Sequence, residues 1–247
     1  MIQYGFFFDQ SRCTGCHTCA IACKQWKELP PGPLKLLRIY QHEAGRFPSV
    51  RIHYYWMPCY HCEAPPCLDA CPVEAIWKEP KYGAVLIDAE TCIGCRACYP
   101  ACPYGAPVFA SDDAGTKAQK CDLCIDRLED GVPPICVLSC PNRALDFGPL
   151  EDLERRYGDR RDLPGLPEGS ATRPAMIFKE HATKRELVPY DSERAIELLR
   201  HRHGFPDLFN EPSDLLQIPD GTIGRHVLRY THASADDLLE CTRDDEG

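Results

Sequence analysis

Cysteine is the residue type in this chain whose number and spacing could do chemistry. The chain has 17 cysteines, and 16 of them form four sets of four before residue 141. Sets one and three read C-x2-C-x2-C-x3-C, set two reads C-x2-C-x4-C-x3-C, and set four reads C-x2-C-x11-C-x3-C. In chain order, the sets are Cys13, Cys16, Cys19 and Cys23; Cys59, Cys62, Cys67 and Cys71; Cys92, Cys95, Cys98 and Cys102; and Cys121, Cys124, Cys136 and Cys140. Thiolates at such gaps are typical ligands of iron–sulfur clusters.

The spacing of the cysteines within the sets indicates cubane clusters. Three thiolates on one tight loop can bind three corners of an iron–sulfur cube. We expect the fourth cysteine, at the end of the three-residue gap, to have entered a helix and to point away from that cube. In bacterial ferredoxins with two clusters, this fourth cysteine binds the other cluster. Four such sets, taken in pairs, therefore predict four [4Fe–4S] clusters and a role in electron transfer.

Zinc sites and disulfides are the alternative uses of so many cysteines. Zinc sites usually need two C-x2-C pairs separated by a longer loop, whereas two sets here place three cysteines at two-residue gaps. Disulfide frameworks suit short secreted chains with an even count. This chain has 247 residues, an odd number of cysteines and no apolar stretch resembling a signal peptide near Met1. We favour iron–sulfur clusters over both, and we expect the remaining Cys241, in an acidic stretch, to be a free thiol.

A repeated pattern leads into the first and third sets. In residues 5–9 and 84–88, an apolar segment ends in an aspartate four residues before the first cysteine of the set. A glycine, Gly15 or Gly94, then precedes the second cysteine, where we expect the backbone to pass close to the cluster. Proline follows the fourth cysteine in the last three sets, but Lys24 follows it in the first. A duplicated ferredoxin module explains this repetition.

The elements that must position the cysteines are predicted to be short. Strand-like runs cover residues 50–56 and 84–87, and we expect helical turns after the fourth cysteines. From about residue 150, prolines and charges increase and cysteines vanish until Cys241. Residues 150–157 and 192–203 have helix patterns. No window approaches the roughly 18–20 apolar residues that cross a bilayer, so we expect no direct membrane span.

The charge distribution disfavours nucleic acid as a partner. Residues 1–150 have 16 acidic and 14 basic side chains, and residues 151–247 have a net charge of −7 out of the total of −9. Oxidised clusters would add about −2 each, which makes nucleic-acid binding unfavourable. Bases within the cysteine loops could raise cluster potentials or could equally be solvated surface charges; they are Lys24, Arg96, Lys120, Arg127 and Arg143. His17 and His61, between ligands, could donate to cluster sulfur or bond the backbone.

Several longer sequence segments resemble those of the iron–sulfur subunits of membrane-linked molybdopterin oxidoreductases of the dimethyl sulfoxide reductase type. The resemblance is closest to the iron–sulfur subunit of dimethyl sulfoxide reductase. It covers roughly residues 1–160 and is carried by residues 4–7, 11–16, 92–96, 101–107 and 143–149.

The resemblance implies how the cysteines are shared among clusters. In this family, sets one and four build one ferredoxin-like module, and sets two and three build the other. The implied ligand groups are Cys13, Cys16, Cys19 with Cys140; Cys121, Cys124, Cys136 with Cys23; Cys59, Cys62, Cys67 with Cys102; and Cys92, Cys95, Cys98 with Cys71. Nitrate-reductase relatives have a tryptophan in place of Cys95 and a [3Fe–4S] cluster, so Cys95 implies four cubane clusters here.

The implied fold class is α+β, with two interleaved bacterial-ferredoxin-like double-cluster modules and a loop-rich C-terminal extension. Residues 1–56 and 104–150 would form the module of sets one and four. Residues 57–103 would form the inserted module of sets two and three. We expect residues 151–247 to be an extended segment that wraps around a partner.

The resemblance also implies the partners. The module of sets one and four would face a large molybdopterin (Mo or W) catalytic subunit, and the other module would face a membrane anchor subunit or another electron acceptor, as in anaerobic respiration. The chain shows no general acid, base or nucleophile constellation, so we expect a non-catalytic subunit of an oxidoreductase complex. Two alternatives are a free-standing soluble polyferredoxin and the iron–sulfur subunit of a Mo/W enzyme that acts on aromatic compounds with a soluble acceptor. The compartment would be the cytoplasm, or the periplasm after export with the partner.

Overall fold

The computed structural model describes residues 2–46 and 50–181, which form small sheets joined by short helices and loops. Their strands are β1 (Tyr4–Asp9), β2 (Arg38–Ala44), β3 (Arg51–Met57), β4 (Ile76–Lys78), β5 (Val85–Ile87), β6 (Val108–Phe109), β7 (Ala118–Gln119), β8 (Leu145–Pro149) and β9 (Met176–Lys179). Their helices are α1 (Thr18–Trp26), α2 (Pro66–Asp69), α3 (Cys98–Ala101), α4 (Ile125–Glu129), α5 (Ile135–Leu138), α6 (Leu150–Tyr157) and α7 (Gly169–Thr172). This mixture is compatible with the predicted α+β class, and the division into interleaved modules stays a prediction.

The sheets are arranged around the cysteine sets in chain order. Three antiparallel hairpins, β2–β3, β4–β5 and β6–β7, each connect one set to the next. The remaining sheet, with strand order β8-β1-β9, combines the strand before set one with two strands after set four. β3 and β5 confirm the strand-like runs predicted around residues 50–56 and 84–87.

The central strand β1 is apolar on both faces because each face covers a different part of the core. Phe6 and Phe8 pack with cysteines of sets one and four, whereas Phe7 packs against Leu150 and Leu153 of α6. β8 runs antiparallel to β1 and β9 runs parallel to it. α6 confirms the helix predicted at residues 150–157.

Residues 150–179 differ from the extended surface segment that we expected for residues 151–247. β9 pairs with β1 from Phe6↔Met176 to Asp9↔Lys179. Met176 and Ile177 have no exposed surface, and Phe178 is 2% exposed. The segment therefore completes the sheet next to set one. The helix predicted at residues 192–203 and the free thiol predicted at Cys241 lie outside the described residues.

The short helices do not lie where we expected them. In the last three sets, α2, α3 and α5 lie around or just after the third cysteine and end before the fourth. The fourth cysteine instead begins a turn, in which the N–H group three residues later donates to its carbonyl: Glu74 to Cys71 at 3.3 Å, Gly105 to Cys102 at 3.0 Å and Arg143 to Cys140 at 3.3 Å. Proline directly after the cysteine fixes φ for this turn. Set one lacks this proline, and α1 continues past Cys23 to Trp26.

None of the helices in the described part of the chain is long and apolar enough to cross a membrane.

Candidate iron–sulfur centres

Three cavities are each lined by four cysteines that come from two different sets. The atom-free spaces are about 330, 350 and 330 Å³. Their cysteines are, respectively, Cys13, Cys16, Cys19 and Cys140; Cys59, Cys62, Cys67 and Cys102; and Cys71, Cys92, Cys95 and Cys98. Each cavity thus receives three cysteines of one loop and the fourth cysteine of another.

The remaining four cysteines lie together in the interior. Burial raises the pKa of the Cys23 thiol to about 12, and the neighbouring Cys124 adds to this effect. Burial also raises the pKa of Cys136, with further contributions from Cys124 and Cys23. The same holds for the pKa of Cys121, where Cys124 and Cys23 again contribute after burial. These neighbours define a fourth group, made of Cys121, Cys124, Cys136 and Cys23.

The donor chemistry of the four groups fits iron–sulfur clusters. Burial raises the pKa of Cys19, Cys62 and Cys67 to about 12, so these thiols would stay protonated at neutral pH without a cation. Bound metal deprotonates its thiol ligands and neutralises their charge. Among the described residues, no three His, Cys, Asp or Glu side chains converge closely enough to share one metal ion. In a cubane cluster, by contrast, each of the four thiolates binds a different iron.

The four cysteine loops share one backbone feature. The residue before the second cysteine has a left-handed conformation in every set, with φ of 68° at Gly15, 45° at His61, 71° at Gly94 and 63° at Leu123. Glycine adopts this conformation without strain, whereas the other two residues are held in it by complete burial. The common geometry indicates that all four sets are the same local structure.

The predicted aspartate repeat has a structural cause. Asp9 accepts a hydrogen bond from the Ser11 N–H group at 3.0 Å, and Asp88 accepts one from the Glu90 N–H group at 3.0 Å. Such turns direct the chain from a strand into the cysteine loop. Asp9 is also buried against Lys179 of β9, at 2.8 Å between Oδ2 and Nζ. Burial raises the pKa of Asp9, but the hydrogen bonds and charge of Lys179, together with Ser11, hold it below its usual value.

The two histidines between ligands have different environments. His61 is completely buried, and its Nδ1 accepts a hydrogen bond from the Val85 N–H group at 3.0 Å. Burial, together with the charges of Lys120 and Lys78, holds the pKa of His61 well below its usual value. The ring is therefore neutral and carries its proton on Nε2, which has no partner among the described residues. His17 is exposed at the start of α1.

The basic residues of the cysteine loops differ in how deeply they are buried. Lys24, Arg96 and Arg143 are outside the buried core, although Arg96 lines the cavity of set three and pairs with Asp112 at 3.3 Å. Arg127 is buried; it lies over the Trp26 ring at 4.4 Å and donates to the Pro133 carbonyl. Lys120 is buried and lines the cavity of set two. The sequence pattern alone did not separate Lys120 from the other four.

The four cysteine groups define a protein of the [4Fe–4S] class with ferredoxin-like domains. Residues 50–150 match a family model described as a 4Fe-4S dicluster domain, and residues 10–26 match a 4Fe-4S binding domain.

Relatives among characterised proteins identify the family. The B component of anaerobic dimethyl sulfoxide reductase from Escherichia coli K12 is 44% identical over 191 residues, which cover 74% of this chain and 91% of the relative. The same component from Haemophilus influenzae is 39% identical over 75% of this chain and 93% of its own. The B component of sulfite dehydrogenase from Allochromatium vinosum is 38% identical over 78% and 91%. This protein belongs to the family of iron–sulfur electron-transfer subunits of dimethyl-sulfoxide-reductase-type enzymes, which confirms the resemblance found in the sequence.

Proposed function

We propose that this chain holds four [4Fe–4S] clusters and passes single electrons between a molybdopterin (Mo or W) catalytic subunit and a membrane quinone or anchor subunit, or another acceptor. The proposed ligand groups are the four groups described above: Cys13, Cys16, Cys19 and Cys140; Cys23, Cys121, Cys124 and Cys136; Cys59, Cys62, Cys67 and Cys102; and Cys71, Cys92, Cys95 and Cys98. We call them groups one to four in this order. When bound, the clusters supply the one-electron redox chemistry, and the chain holds, spaces and insulates them.

The observation that carries this proposal is the neighbour order of the groups. Cys19 of group one is among the charges that, after burial, raise the pKa of Cys136 of group two. Cys59 of group three acts in the same way on the pKa of Cys121 of group two. Cys67 of group three and Cys98 of group four are buried in one apolar cluster. These relations support a linear series of four centres, which is the arrangement an electron path requires.

The exposure of the groups supports electron entry and exit at the two ends of the series. Among the sixteen cysteines, Cys16 of group one and Cys95 of group four are the exposed ones. Exposed apolar side chains adjoin cysteines in sequence at both ends: Ile93 and Tyr99 are next to group four cysteines, and Ile21 and Leu138 each lie between a group one and a group two cysteine. Clustered apolar surface is typical of protein contact sites. In the family that this chain resembles, the module of sets one and four faces the catalytic subunit, so we propose that subunit at group one and the anchor or acceptor at group four.

The names of the relatives support this choice of partners. Two are the B component of dimethyl sulfoxide reductase, and one is the B component of a sulfite dehydrogenase. Each name describes one lettered component of a larger oxidoreductase, which supports a separate catalytic subunit as the partner that we propose for this chain.

Iron and sulfide analysis tests the number of clusters. Four cubane clusters require about 16 iron and 16 inorganic sulfide per chain in anaerobically purified protein. A repeatable value near eight iron would contradict the four-cluster proposal.

Serine variants test the sharing of ligands between sets. Cys140→Ser should perturb the same component of the EPR spectrum as Cys13→Ser, because both belong to group one. Cys121→Ser, at a group two ligand of the same set as Cys140, is the matched control and should affect a different component. Identical spectra for Cys140→Ser and Cys121→Ser would show that each set binds its own cluster.

A further inference from the structure

Lys120 lies between groups two and three. It is 7% exposed, and its side chain lines the group three cavity. Its Nζ donates to the Val85 carbonyl and, at 3.1 Å, to the carbonyl of Cys121, a group two ligand. One ammonium group therefore contacts the surroundings of both inner groups.

No carboxylate neutralises this ammonium among the described residues, because Lys120 takes part in none of their ion pairs. A buried charge bonded only to neutral carbonyls is costly. The groups near Lys120 that become anionic when a cluster binds are the cysteine ligands. Burial raises the pKa of the Cys67 thiol of group three, and the charge of Lys120 opposes that effect. Two oxidised clusters with thiolate ligands would supply about −2 each. The missing counter-charge is thus accounted for by the proposed clusters themselves.

We propose that Lys120 is a positioning residue that serves as the shared counter-charge of the two inner clusters and raises the reduction potentials of both. This inference rests on the proposed function. Reduction adds one negative charge to a cluster, and a buried cation stabilises that charge far more than a solvated one does. When one electron leaves one inner cluster and enters the other, the same ammonium remains near the charge. The free-energy change of electron transfer between the two inner clusters therefore stays small, and no proton has to move with the electron.

The other bases of the cysteine loops, and the nearby Lys78, do not have this position; Arg143 is exposed. Lys24 donates to the carbonyls of Gly32 and Leu34, at 2.7 and 3.0 Å, and holds a surface loop. Arg127 stacks on Trp26, and Arg96 is paired with Asp112. Lys78 donates to the Cys62 carbonyl at 2.8 Å but is only half-buried, and it lies near the Glu63 carboxylate.

The test is a potentiometric EPR titration of the purified full-length protein in its complex, with Lys120→Met compared to the parent. We expect the two components altered by Cys121→Ser and Cys59→Ser to shift to lower potential by about 59 mV or more, a tenfold change in the ratio of reduced to oxidised cluster. The other two components should not move. Lys117→Met is the matched control, since Lys117 is an exposed lysine three residues away that also donates to carbonyls.

Iron analysis of the parent protein separates this inference from the proposed function: about 16 iron per chain establishes the four clusters independently of any shift. A fully loaded Lys120→Met protein with unchanged potentials would overturn the role of Lys120. If Lys120→Met loses iron, Lys120→Arg and Lys120→Gln decide the matter. Full loading of the arginine variant alone supports the need for buried positive charge. Equal loading of the arginine and glutamine variants shows that charge is not the requirement.

Discussion

The residue before the second cysteine has the same left-handed backbone in all four sets, but the sequence reveals it in only two. Gly15 and Gly94 indicate it directly, whereas His61 and Leu123 are residue types that rarely adopt positive φ. We expected the glycines to be required by the cluster. The structure adds a second reason, because a side chain at Gly15 would meet the ring of Tyr54, and one at Gly94 would meet the backbone of residues 115–116.

Gly94→Ala should therefore weaken the group four loop. The new Cβ would lie 2.5 Å from the Gly115 carbonyl carbon, in addition to the strain of φ +71°. Strain of this kind costs about 1–3 kcal/mol, and each kcal/mol lowers the midpoint of a chain of this size by about 2–4 °C. The measurement is the temperature at which the visible absorbance of the clusters is lost, at a fixed heating rate.

Gly115→Ala is the matched control for Gly94→Ala. Gly115 also has positive φ, +80°, but nothing lies within 4 Å of the position that a Cβ would take there. Gly115→Ala should lower the free energy of unfolding only by the cost of a left-handed backbone at an alanine, about 1–2 kcal/mol. Equal midpoints for the two variants would mean that the close approach of residues 115–116 has no energetic effect.

The sixteen candidate cysteine ligands are visible in the sequence because the spacing within each set is local, whereas the role that we propose for Lys120 is not. Five bases in the cysteine loops look alike in the sequence. Burial and the absence of a carboxylate partner among the described residues depend on what the fold places around each one. Lys120 is distinguished by its contact with the Val85 carbonyl, 35 residues away, which no local pattern contains.

At the scale of elements, β9 is a strand that the sequence did not reveal. Its four residues lie among prolines and charges, and the composition of residues 151–247 predicted an extended surface segment. A run this short gives no periodicity that separates a buried strand from a loop. α6, by contrast, was predicted correctly, since Leu150 and Leu153 are spaced on one helix face and both are buried.

Two truncated chains test the contribution of β9. A chain ending at His181 should keep about 16 iron, because all residues that pack on β1 remain. A chain ending at Arg173 should lose iron, since it lacks Met176 and Phe178, which pack in the same core cluster as Cys19, Cys23 and Cys140. Removing one such buried side chain costs about 2–5 kcal/mol. Iron per chain after anaerobic gel filtration is the measurement. Full iron content in the chain ending at Arg173 would show that β9 is dispensable.

At the scale of the whole molecule, residues 182–247 should contribute to assembly. Residues 182–247 have 14 acidic and 8 basic side chains, a net charge of −6, which suits contact with a basic surface of a partner. We expect the chain ending at His181 to keep its clusters but to co-purify less completely with the catalytic subunit. High salt should lower the fraction of full-length chain that co-purifies to about that of the shortened chain, because salt screens contacts between surface charges.

Native size-exclusion chromatography provides the control for this prediction. The full-length protein should elute in a complex, and a lone species of 27.9 kDa would instead favour a free-standing polyferredoxin. If the shortened chain co-purifies as completely as the full-length chain, residues 182–247 do not hold the complex together.

The position of β1 between β8 and β9 has a consequence for biosynthesis. β1 ends at Asp9, yet its two partner strands end at Pro149 and Lys179, so β1 is synthesised well before either of the strands that pair with it. At about 5–20 residues per second, its three consecutive phenylalanines wait on the order of ten seconds or longer for their partners. Group one likewise has to wait for Cys140 to be synthesised. The phenylalanines of β1 therefore stay unpaired through most of translation, and a cluster held by group one would gain its fourth ligand only after Cys140 has been synthesised.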